Sequence, residues 1–371
     1  MKVEAVITHV IADTLDVPFG MSQWHWKSRS SCIVEITTDD GITGWGECFG
    51  PAEANATLIE SVFAPLLVGC DPGESVELWH RMYNKNREWG RKGISVSAIS
   101  GIEIALLDIA GKALGVPISR LLGGRRVDTV RSYASAFYYD GVWAGDIEGE
   151  AAALLELGYS DFKMKVGADL SADTERVHRV RAALGPDAHL AADANRGFTT
   201  AEAKRFLRET EAAGLWFFEE PVLPEDLQGY REIRAMSPVP IAAGESEFTR
   251  WGFRELIETR AVDILQPDVT ACGGIREALL IAGMASAHAI PTLPHVWGSS
   301  VSIAAGLQVI TALSAVTPSM GRKAIVVELD QAPNPFRNGL AGIETGPTIQ
   351  VPDGPGLGIE IDRDLLNRYG K

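Results

Sequence analysis

The chain has 371 residues, 46% of them hydrophobic and 22% charged, and its 49 acidic against 34 basic side chains give a net charge of −15. That balance argues against a nucleic-acid or anionic-membrane surface, since both are bound through basic patches; no apolar run reaches the roughly 18 residues that span a bilayer. An acidic protein that binds an acidic small molecule must supply local positive charge, from a metal or from lysines.

The first 125 residues read as an α+β domain. A strand pair is expected around residues 3–12 and 32–38, closed by the turn Asp39-Asp40-Gly41. The strand-like start is followed by Asp13 and Asp16 instead of a small-residue cleavage site, so no signal peptide is expected and the cytoplasm is the anticipated compartment. Residues 18–27 form a Gly-containing aromatic stretch, expected to be a lid that offers Gln23, His25 and Lys27 to a substrate. Residues 93–112 have a helical pattern and run into the stop Leu121-Leu122-Gly123-Gly124. Cys32, Cys48, Cys70 and Cys272 lack C-x-x-C spacing and are expected to be reduced thiols.

From residue 126 to about 330, short apolar runs that close on polar residues alternate with amphipathic stretches, the grammar of βα repeats. The runs fall at residues 133–138, 162–166, 190–194, 216–218, 241–243, 262–265, 292–296 and 325–329. Eight units predict a (β/α)8 TIM-type barrel with the N-terminal α+β domain as its cap. Residues 331–371 carry Pro, Gly and Asn clusters and a strand-like run at 358–361, a segment expected to return to the cap.

Active sites of such barrels lie at the C-terminal ends of the strands. The residues closing the runs are Lys163 and Lys165, Asp193 and Asn195, Glu219, Glu245, Asp268, His295 and Glu328. Asp193, Glu219 and Glu245 follow one another at intervals of 26 residues (219 − 193 and 245 − 219), one per consecutive strand. Taken singly, each could be a surface or ion-paired acid. Three that converge repel one another unless a cation compensates, and hard oxygen donors suit Mg²⁺. Lys163 and Lys165 share a strand face, and mutual repulsion is expected to bring one towards about 7–8, where it can serve as a base. His295, with Asp268 closing the neighbouring strand, is the second candidate acid/base.

Together these residues resemble the enolase superfamily, in its mandelate racemase-like branch (the mandelate racemase/muconate lactonizing enzyme family). Lys163-Met164-Lys165, Asp193-Ala194-Asn195, Glu219-Glu220-Pro221, Gly244-Glu245-Ser246, Gln266-Pro267-Asp268 and Pro294-His295-Val296-Trp297-Gly298 match its motifs. Within the branch, the chain is most similar to galactarolactone cycloisomerase and acid-sugar dehydratases. The resemblance implies Mg²⁺ on Asp193, Glu219 and Glu245, Lys165 as the proton-abstracting base, and the Asp268–His295 dyad opposite. It implies Lys163 and Glu328 as stabilisers of the enediolate, with Glu328 hydrogen-bonded to the substrate carboxylate. Asn195, Gln23, His25 and Trp297 are the expected substrate contacts. The implied reaction removes the proton alpha to the carboxylate of a sugar acid or lactone, giving cycloisomerisation or dehydration. Racemisation or epimerisation of a 2-hydroxy acid is the alternative, and a Schiff-base barrel lyase using Lys165 is a remote one. A homo-oligomer, from dimer to octamer, is expected.

Overall fold

The computed structural model describes residues 1–313, 316 and 325–370. The cap begins with a three-stranded antiparallel sheet in the order β1 (Val3–Gly20), β2 (His25–Thr38), β3 (Thr43–Cys48). Both long strands run well past the limits expected from sequence, so the stretch at 18–27 is the tip of a hairpin. Behind the tip, a register shift between Thr14 and Phe19 breaks the β1–β2 ladder.

β3 lies against the helix Ile94–Leu114, which is long and apolar enough to cross a membrane, with a mean hydropathy of 1.6. This corrects the expectation that no such run exists. The helix is 89% buried within the protein and serves as a core helix. Its approach to β3 requires glycine, because a Cβ on Gly46 would stand 1.9 Å from the Gly101 carbonyl oxygen. Neither backbone can yield, so Gly46→Ala is expected to cost at least about 1–3 kcal/mol of stability, read as a lower urea midpoint at unchanged slope.

The second sheet is parallel. It contains β4 (Thr129–Ala136), β5 (Asp161–Lys165), β6 (His189–Asp193), β7 (Phe218–Glu219), β8 (Ile241–Ala243), β9 (Ile264–Leu265) and β10 (Val326–Asp330), in the order β10-β4-β5-β6-β7-β8-β9. Helices follow the strands as the alternation predicts; the one expected at 173–184 spans Leu170–Leu184, with the Asp169 side chain accepting from the Ala172 N–H. The run at 292–296 is no regular strand. Only the bridges Leu265–Thr292 and Asp268–His295 join it to its neighbour, because Pro291 and Pro294 remove two ladder donors. Tyr133, Ala191, Phe217, Ala242, Leu293 and Val326 nevertheless meet in one buried cluster, so the sheet curls with side chains from these segments packed together.

After β10 the chain adds β11 (Thr348–Gln350) antiparallel to β4. Residues 358–361, expected as a strand, are irregular; Gly358 has a φ of +75°, outside the extended range. The helix Arg363–Tyr369 packs on β1, Gly370 bridges to Ile11, and Arg363 pairs with Glu35 at 2.5 Å. The four cysteines are free thiols.

Candidate active site

The parallel register sets the site. Lys165 pairs with Asp193 across β5–β6 and Asp193 with Glu219 across β6–β7, so three charged residues stand level at adjacent strand ends. Glu245 follows Gly244, whose φ of +142° and whose missing Cβ, which would lie 2.9 Å from the Gln266 nitrogen, let the chain turn here. Asp193, Glu219 and Glu245 each direct a carboxylate oxygen into one cluster, the three atoms within 4.8 Å of one another. Asn195 donates to Glu245 at 3.4 Å, while its Oδ1 is buried without a hydrogen-bond partner.

Two lysines answer these charges. Lys163, fully buried, reaches Glu219 at 2.6 Å, Glu328 at 2.8 Å and Asp193 at 3.7 Å. Lys165 donates to Asp193 at 2.6 Å. Burial lowers the Lys165 ammonium pKa, but the Asp193 charge outweighs it and the group lies above the usual lysine range. The expected mutual depression fails because each ammonium is held by carboxylates. Burial raises Glu328, but Lys163 and His295 bring it down to about 2. Glu328 is therefore an ionised partner of Lys163. Glu219 is pushed up, first by burial and then by the Asp193 and Glu328 charges against Lys163; this cluster has a use for a further positive charge.

His295 Nδ1 lies 2.6 Å from Asp268, whose other oxygen accepts from the Thr270 N–H and hydroxyl at 2.7 and 2.5 Å. Its Nε2 stands 3.2 Å from Glu245. Burial opposes the charged ring, but Glu245 and the Asp268 hydrogen bond raise its pKa to about 10. Lys165, Asn195, Glu245, His295 and Trp297 share the wall of one cavity of about 740 Å³. Cap residues supply the facing wall, among them His25, Arg29, Glu47 and Phe49.

The two hairpin-tip residues expected to contact substrate are placed differently. His25 is in the cavity wall, 2.9 Å from Asp140. Gln23 is not among the residues that line the cavity: its amide donates to the Asn195 carbonyl at 2.7 Å, beside a bond of 3.0 Å from the Ser22 hydroxyl to the Ala194 carbonyl. Sequence reasoning missed Arg29, Tyr138, Glu47 and Arg196. Arg196 follows Asn195 with a φ of +66° and lies 3.2 Å from Glu220; its place in a D-x-N-R run was the available signal.

Residues 2–123 match the family model for the mandelate racemase/muconate lactonizing enzyme N-terminal domain, and residues 146–365 match the enolase C-terminal domain-like model. The chain belongs to the mandelate racemase/muconate lactonizing enzyme family. Within that family it is 41% identical to a D-galactarolactone cycloisomerase of Agrobacterium fabrum, over 100% of this chain and 99% of the relative. It is 36% identical to an arabinonate dehydratase of Saccharolobus solfataricus, over 90% and 89%. Among solved structures, the 3,6-anhydro-D-galactonate cycloisomerase of Zobellia galactanivorans matches with a TM-score of 0.91 and 34% identity, covering 100% of both chains. Like these relatives in the mandelate racemase/muconate lactonizing enzyme family, the chain is an enzyme.

Proposed function

We propose that the enzyme removes the proton alpha to the carboxylate of a sugar acid or its lactone and carries the enediolate on to cycloisomerisation or dehydration. The observation that carries this reading is the single cavity in which Lys165 and His295 stand beside the converging carboxylates. Those carboxylates fit Mg²⁺: all three donors are hard oxygens, Asn195 leaves a buried Oδ1 unpartnered close by, and burial, with the charges of Asp193 and Glu328, raises Glu219. Asp193, Glu219 and Glu245 would hold the ion. Bound Mg²⁺ would polarise the substrate carboxylate and, by taking up the charge of Asp193, free Lys165 to act as a base.

Lys165 takes the alpha proton. Lys163, fixed by Glu328 and Glu219, places its positive charge where the enediolate oxygens develop theirs. His295, oriented by Asp268, delivers a proton to the leaving oxygen: water in dehydration, the lactone ring oxygen in cycloisomerisation. In this reading Trp297, His25 and Asn195 contact the substrate and Gln23 holds the lid tip in place. Racemisation remains the alternative, with His295 returning the proton to carbon.

The same proposal includes a closed (β/α)8 barrel over residues 126–330, supported by the shared inner cluster that takes in Leu293, with residues 1–125 as cap and 331–371 returning to it. It also includes a homo-oligomer, testable by light scattering, and a cytoplasmic setting consistent with four free thiols.

Metal removal tests the site directly. EDTA is expected to abolish turnover and Mg²⁺ to restore it. Mg²⁺ at about 100 times its Kd should stabilise the fold by about 2.7 kcal/mol, seen as a rise in Tm. Asp193→Asn or Glu219→Gln should remove that rise; an unchanged Mg²⁺ response in both variants would refute the assignment.

A further inference from the structure

The cavity has a second charged pole that proton transfer does not use. Arg29, on β2, lines it with only 5% of its surface exposed. Its guanidinium lies 4.2 Å from the centre of the Trp297 ring and 4.6 Å from that of Phe19. Nε donates to the Pro333 carbonyl at 3.0 Å and Nη2 donates to Asp330, while Nη1 makes no hydrogen bond among the described residues.

Asp330, at the end of β10, is shared. It accepts from the Tyr138 hydroxyl at 2.7 Å, and Arg337 Nη2 stands 3.8 Å away. Two largely buried guanidiniums therefore face one carboxylate, and a formal positive charge is left over. Glu47, in the same wall, forms no ion pair with either guanidinium among the described residues; its oxygens accept instead from the Ser31 and Ser299 hydroxyls and from the Ser299 and Ser302 N–H groups at a helix start. Uncompensated charge in a desolvated site is costly, and a guanidinium fork with a free edge is matched by a carboxylate. Tyr138 sets the spacing, since its ring centre is 5.7 Å from the Lys165 ammonium and its hydroxyl touches Asp330. Lys165 and Arg29 thus line one cavity, with Tyr138 between the Lys165 ammonium and the carboxylate that holds Arg29.

We propose that Arg29 is a specificity-determining residue that receives a second carboxylate, so the preferred substrate is a diacid, an open-chain aldarate, and not an aldonate or a monolactone, each of which has a single free carboxylate. This rests on the acid-sugar reading above and names its substrate class. One carboxylate lies at the Lys165 end and the other on the free edge of Arg29. The neutral hydroxymethyl end of an aldonate would leave the surplus charge unpaired.

The test compares kcat/KM for matched aldarates, aldarolactones and aldonates. Alongside it, calorimetric dissociation constants are measured for unreactive straight-chain dicarboxylates and the monocarboxylates of equal length. Wild type should favour the diacid of each pair by about tenfold or more, through KM and Kd. Arg29→Met should bring that ratio close to one, Arg29→Lys should keep part of it, and Arg337→Met, which leaves Asp330 to Arg29 alone, should reduce it. Equal affinity for diacids and monoacids in wild type, or a preference that survives in a folded Arg29→Met, would overturn the assignment. Should no acid sugar turn over, the proposed function fails, and the calorimetric ratio still decides the role of Arg29.

Discussion

Lys165→Ala is expected to lower alpha-proton exchange by about 10²–10⁴-fold, the range supplied by a positioned general base and equivalent to about 3–5 kcal/mol of activation free energy. The fold should survive, because the substitution leaves Asp193 with Lys163 at 3.7 Å as a remaining cation. The loss should fall on kcat, with substrate affinity less affected, since the side chain acts in the transition state. Deuterium exchange followed by NMR in D₂O reads this step without requiring net product. An exchange rate within tenfold of wild type would remove Lys165 from the role of base.

His295→Asn is expected to separate the two halves of the reaction. The ring is held by Asp268 at 2.6 Å, whose charge steadies the imidazolium and suits the ring to donate a proton. Net product formation should fall by about 10²–10⁴-fold while alpha-proton exchange by Lys165 persists. Asp268→Asn should lose part of the same step, because it removes the charge that steadies the imidazolium. Product measured by NMR beside exchange decides the matter. Loss of both together in His295→Asn would contradict a role for the imidazole confined to the second half of the reaction.

Much of the site was legible because the strands that carry it are apolar runs closing on ionisable residues. Asp193, Glu219 and Glu245 were readable from that punctuation, and the parallel register then brings the first two level. The seventh run looked like the others, but Pro291 and Pro294 reduce its pairing to isolated bridges. The lysines misled in protonation: sequence gives their mutual proximity and not the carboxylates that hold each one. Arg29 could not be found at all. It stands among polar residues at the outer end of β2, and its burial depends on Trp297 and on Asp330, 301 residues along the chain. The helix Ile94–Leu114 shows the reverse failure, a long apolar segment whose meaning depends on what packs around it.

The most direct measurement of the central claim is incubation of wild-type protein with Mg²⁺ and a panel of aldarates, aldarolactones and aldonates in D₂O, followed by NMR. The account predicts deuterium at the alpha carbon of at least one acid sugar, strongest for a diacid, with a ring-opened isomer or a dehydrated keto acid as product, all lost in EDTA. Absence of alpha-deuteration across the whole panel in Mg²⁺-loaded protein would contradict it.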